Sequence, residues 1–132
     1  MKTRTPTPDL EYYMGKLDQE YESRGQEAIG RMLDDCRIPF FYKEPLLVWE
    51  DGQRRIRRPD FTLPTYNNTV IEYTPAKDRL AEQDKSVYRE NNIAASFLDE
   101  SDLTAPNWQQ RLYDKLEEIY HRPLTHSTGR YR

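Results

Sequence analysis

The chain has 132 residues, 36% of them apolar and 33% charged, with a formal net charge of −3. That is the length of one ordinary domain, whose core must come from a few well-patterned segments, and the acidic balance argues against a generic polyanion binder, although a local basic strip on an acidic protein can still meet a phosphate backbone. No apolar run approaches the ~18 residues needed to span a bilayer and no signal-type apolar stretch follows Met1, so the expectation is an intracellular, cytoplasmic protein with no membrane partner.

In chain order, residues 1–8 carry Thr, Pro, Lys and Arg without periodicity and read as an arm. From Asp9 to about Glu22, Leu10, Tyr13, Leu17 and Tyr21 recur at helical spacing. Ser23 followed by Gln26 has the capping-box pattern that starts a new helix at about Arg24, with Ile29, Met32, Leu33 and Cys36 as its apolar stripe and Pro39 as its end. As the single cysteine, Cys36 excludes an internal disulfide and a cysteine-built zinc cage, and its spacing makes it a small buried hydrophobe. Pro45 to Glu50, with Leu46, Leu47, Val48 and Trp49, suits a buried strand, and Asp51-Gly52 marks a hairpin turn. Gln53 to Thr62 is the returning strand. Asn67-Asn68 turns the chain again into Thr69 to Thr74, rich in β-branched and aromatic residues, to complete a three-strand meander.

A helix is expected from about Ala76 to Glu90 with Leu80, Val87 and Tyr88 inward, stopped by Asn91-Asn92. Ile93 to Leu98 reads as a fourth strand, and Thr104 and Pro106 open a last helix striped by Trp108, Leu112, Leu116 and Ile119. The strand–helix–strand unit implies a parallel pair, hence an α/β fold with a mixed sheet flanked by helices. The division is an N-terminal arm and extra helix over 1–22, a domain over 23–121 and a flexible tail over 122–132.

Chemistry concentrates on two acids. Side chains alternate along a strand, so Val70, Glu72 and Thr74 share one face while Ile71 and Tyr73 share the other. An acid among Val70, Ile71 and Tyr73 is costly to bury without a cation or hydrogen bonds; the alternative is an uncovered sheet face. Asp60, following Arg58-Pro59, is either its partner across adjacent strands or a turn carboxylate. As a pair they suit a hard divalent cation such as Mg²⁺, which can polarise a phosphodiester and acidify an attacking water. Arg54, Arg55, Arg57 and Arg58 form a local basic strip that can meet DNA phosphates, or defend an edge strand by charge. His121 and His126 suit a helix C-terminus, and no spacing brings them to the acids.

Arg58-Pro59-Asp60-Phe61-Thr62-Leu63-Pro64 followed by Val70-Ile71-Glu72-Tyr73 resembles the motif core of the PD-(D/E)XK nuclease superfamily. Glu27, the Lys85–Tyr88–Asn92-Ile93 segment and Asp102-Leu103 resemble further family features, so the likeness covers about residues 23–120. The resemblance implies a restriction-endonuclease-like αβββαβ core and a DNA endonuclease that often dimerises. It implies Glu27, Asp60 and Glu72 as ligands of Mg²⁺ (or Mn²⁺), with Arg55, Arg57 and Tyr88 facing DNA. The family motif has lysine two residues after the glutamate, where this chain has Thr74. Lys85 or Lys77 would take its place as the group that assists the water. A site without catalysis is the other expectation, in a module that only binds DNA or protein. The bland reading of Lys77 and Lys85 is surface lysine, of Tyr88 core, and of Glu27 a charge favoured by the helix dipole.

Overall fold

The computed structural model describes residues 19–75 and 79–121, without the side chains of 79–81. The arm, most of the helix expected from Asp9, the inward Leu80 side chain, Lys77, His126 and the tail lie outside the described residues; residues 19–22, the expected end of that helix, are not helical.

Helix α1 (Arg24–Asp35) starts as its cap dictates, with the Gln26 N–H donating to Ser23 Oγ at 3.2 Å. Gln26 does not close a capping box, because its side chain is bound to Asp60. Ile29, Met32 and Leu33 are buried. The helix ends before Pro39 is reached, since Arg37 turns left-handed at φ 58 and the N–H groups of Arg37 and Ile38 bond back to the Asp34 and Leu33 carbonyls. Ile38 and Leu33 are both buried in the same core, in keeping with the apolar pairing that accompanies this kind of termination. Cys36 is the exposed C-cap rather than a buried hydrophobe, because the left-handed turn takes the chain off the helix axis there.

Strand β1 (Phe41–Tyr42) is followed by β2 (Leu46–Glu50) and β3 (Gln53–Arg57), which close over Asp51-Gly52 with both turn residues at positive φ, as a two-residue primed turn requires. Next come β4 (Phe61–Leu63), a 3-10 turn (Pro64–Tyr66), β5 (Thr69–Thr74), α2 (Arg79–Glu90), β6 (Ala95–Asp99), the short α3 (Glu100–Thr104) and α4 (Trp108–Tyr120).

The segment 53–62 is thus two strands, not one. Pro59 has no N–H to give a ladder, and the Arg58-Pro59-Asp60 stretch breaks the pairing. The expected meander therefore becomes a separate two-stranded hairpin, β2-β3, beside a four-stranded sheet ordered β1-β4-β5-β6. In that sheet β5 pairs antiparallel with β4 and parallel with β6. Only Val48 of β2 is buried, whereas Leu47, Trp49 and Ile56 are exposed, so β2 is a half-buried strand. The hairpin is tied to the end of α2 by Asn91, whose carboxamide accepts the Trp49 N–H at 2.8 Å and donates to the Trp49 carbonyl at 2.9 Å.

The result is mixed α/β, a mixed sheet flanked by helices. Ile29, Met32 and Leu33 of α1 join Leu112 and Leu116 of α4 in one core with Phe61, Leu63 and Ile71 of the sheet. Val48, Val70, Val87 and Tyr88 are buried outside that cluster, on the side of α2 and the hairpin. Among the described residues no helix is long and apolar enough to cross a membrane.

Candidate functional site

The break at Pro59 places Asp60 at the start of β4, beside Glu72 on β5, since Phe61 pairs with Ile71 in the next register position. Asp60 is 4% exposed, and both carboxylate oxygens are engaged. Oδ1 accepts from Gln26 Nε2 at 2.9 Å and from Lys43 Nζ at 2.9 Å, and Oδ2 accepts the Tyr73 N–H at 2.7 Å. Lys43 is held twice, for its own N–H donates to the Asp60 carbonyl at 3.1 Å with the residue at φ 59. Tyr42 donates its hydroxyl to Gln26 Oε1 at 2.9 Å, which orients the amide toward Asp60. The Asp60 carboxylate is therefore a buried anion with a cation and two N–H donors, the arrangement that makes such burial tolerable.

Glu72 faces α2. Its Oε1 accepts the Asp60 N–H at 3.1 Å and its Oε2 accepts the Tyr88 hydroxyl at 2.5 Å. Burial pushes the Glu72 carboxyl up to about 7, with the nearby Asp60 and Asp84 carboxylates adding to the rise and the bonds from Tyr88 and Asp60 opposing it. Burial and the same Glu72 charge push the Tyr88 hydroxyl well above its ordinary value. With its value near neutrality, the charged form of Glu72 gains from any cation brought beside it.

Glu27 turns along the surface of α1 to Arg31, at 2.6 Å, while its neighbour Gln26 makes the contact to Asp60. Lys85 lies 3.3 Å from Glu82, with its Nζ 5.5 Å from the centre of the Phe97 ring, and it makes no hydrogen bond or ion pair with Asp60 or Glu72. Arg55 is exposed on the hairpin, and Arg57 bridges Glu50, at 3.1 Å, and Asp84. Tyr88 is buried against Glu72. Sequence reasoning misses Gln26, Lys43 and Asp84. Gln26 reads as a cap, and no spacing argument links Lys43 to Asp60. Asp84 does carry a signal, since it precedes Tyr88 by one helical turn.

Among the described residues no group of three or more His, Cys, Asp or Glu side chains is arranged to hold a metal ion. Comparison with protein-family models, curated proteins and solved structures finds no match to the chain.

Proposed function

We propose that the chain is a metal-dependent DNA endonuclease with a restriction-endonuclease-like core, hydrolysing phosphodiester bonds at the Asp60–Glu72 pair. Glu72 carries the reading, as a carboxylate held at about 7 by burial beside a second carboxylate. Such a group gains most from a shared cation. The donor set suits Mg²⁺ or Mn²⁺, which bind through one or two carboxylates and fill their remaining positions with waters and substrate phosphate. The ion would supply Lewis-acid polarisation and a more acidic water.

The chain's own groups have distinct parts. Asp60 and Glu72 would hold the ion, and the Tyr88 hydroxyl fixes the Glu72 side chain. Lys43, 2.9 Å from Asp60, is the lysine in contact with the pair among the described residues, and its ammonium neutralises charge growing on the phosphate. Thr74, on the same face as Glu72, brings no charge to that task, and Lys77 remains a candidate for it. Enlisting Glu27 as a further ligand requires it to leave Arg31. The exposed Arg55 is the hairpin arginine best placed for a DNA phosphate, since Arg57 is already bridged by two acids.

Plasmid, single-stranded and branched DNA incubated with Mg²⁺ or Mn²⁺ provide the test. Cleavage by the wild type and none by Glu72→Gln is expected, and equal cleavage by both would reject the assignment. One observation favours a second reading, a nuclease-like module that binds DNA or protein without cutting. The Lys43 ammonium already balances Asp60, so the pair persists with no metal. A rise in melting temperature with Mn²⁺, absent in Glu72→Gln, decides for the metal site.

A further inference from the structure

Tyr88 connects the carboxylate pair to a second feature. While its hydroxyl bonds Glu72, the residue borders a cleft of about 380 Å³ together with Lys85, Arg89, Phe97 and Lys115. The walls come from the C-terminal half of α2, from α4, and from β6, the last strand of the sheet. Among the described residues three cations line this concavity and no acid does, in a chain whose net charge is −3. Like charges converging on one cleft repel unless an anion joins them, and the apolar walls reduce the screening.

The cations differ in how they are held. Lys85 has Glu82 as a partner and the Phe97 ring beside its ammonium. The side chains of Arg89 and Lys115 have no ion pair or hydrogen bond among the described residues, and both residues are exposed. The volume falls in the ~300–1,000 Å³ range of small-ligand pockets, suited to a nucleotide unit and too small for a duplex.

We propose that this cleft binds the backbone phosphate of a single-stranded polynucleotide, with Arg89 and Lys115 as the contacting cations, and so seats the strand next to the Asp60–Glu72 pair. The proposal rests on the nucleic-acid part of the functional reading and is independent of cleavage.

Fluorescence anisotropy with labelled oligo-dT, in chelator and over a salt series, tests it. For Arg89→Ala/Lys115→Ala the expected outcome is at least about ten-fold weaker binding, with the slope of log K against log salt shallower by ~0.7 for each phosphate no longer neutralised. Arg24→Ala/Arg37→Ala removes the same charge from exposed positions elsewhere and should bind as the wild type does. Unchanged affinity and slope in the cleft variant, or an equal loss in the control, would overturn the proposal. If the double variant does not fold, Arg89→Gln and Lys115→Gln singly should each show about half the slope change, and no change in either overturns it. Competition separates phosphate from other anions. Unlabelled oligo-dT should displace the probe well below the concentration at which polyglutamate does, and equal displacement would overturn the phosphate assignment. Weakened binding in the cleft variant together with no cleavage by the wild type would uphold the cleft and overturn the endonuclease.

Discussion

Asp60 and Glu72 are neighbours across two strands, yet the surroundings of the two carboxylates are opposite in kind. Around Asp60, α1 and the residue after β1 supply an amide, an ammonium and, with β5, a backbone N–H. Around Glu72, α2 supplies one hydroxyl and a further acid, Asp84, while Asp60 adds its charge across the pair. What separates the two side chains is the number and charge of the donors around them. One half is a charge already compensated, and the other is a charge awaiting compensation.

Removing the compensated half should have the largest effect. Asp60→Ala strips the acceptor from Lys43, Gln26 and the Tyr73 N–H at once; Lys43 is partly exposed and keeps Glu22 at 3.4 Å, so the loss of about 4 kcal/mol comes from the Gln26 and Tyr73 donors left without an acceptor. Urea denaturation at neutral pH measures it, and a loss below about 1 kcal/mol would mean the three donors are re-satisfied without Asp60.

The other half should show itself through pH. With Glu72 raised from 4.5 to about 7 in the folded chain, the native state keeps a proton that the unfolded chain has lost between those values. Stability then falls as pH rises through that window, by roughly 3 kcal/mol in all, and levels off above it. Glu72→Gln should flatten the curve and be the more stable protein above pH 7, whereas Mn²⁺ should flatten it for the wild type by taking the place of the proton. A wild-type curve that rises from 4.5 to 7 would contradict the raised value.

Tyr88→Phe removes the hydroxyl that holds the Glu72 value down, so the end of that window should move above about 7, with a stability loss of roughly 1–2 kcal/mol. The smallest effect belongs to Gln26→Leu, about 1 kcal/mol, because Asp60 keeps Lys43 and the Tyr73 N–H while the partly exposed Tyr42 hydroxyl, which also loses its bond to Gln26, can turn to water. Its pH profile should match the wild type's, because Gln26 serves only the compensated half; a displaced profile would show that the halves are not separable.

Chemistry is legible in the sequence where it is local. Asp51-Gly52 and Asn67-Asn68 announce their turns and do adopt positive φ. The stripe of α4 is buried at Leu112, Leu116 and Ile119 as its spacing requires. Glu72 stands out because an acid between Ile71 and Tyr73 has to be accounted for by burial energetics alone. Long-range pairing is not legible. Gln26 and Asp60 are 34 residues apart, and nothing in a capping pattern says that the cap's side chain will be claimed by a distant carboxylate. β1 is only two residues long and α3 only five, both below what periodicity detects. The division of 53–62 hangs on one missing N–H at Pro59, a residue that the motif resemblance treats as part of a signature.

The Asn91 side chain has a consequence for how the molecule behaves in a crowd. A two-stranded hairpin has two outer rims of unpaired N–H and C=O groups, each a template for another strand. On β2 the Trp49 groups that face outward are occupied by the Asn91 carboxamide, which imitates one residue of a neighbouring strand and then stops. A second chain can extend the hairpin there only by evicting Asn91, and so a surface that shows Leu47, Trp49 and Ile56 to solvent is guarded against rim-to-rim self-association.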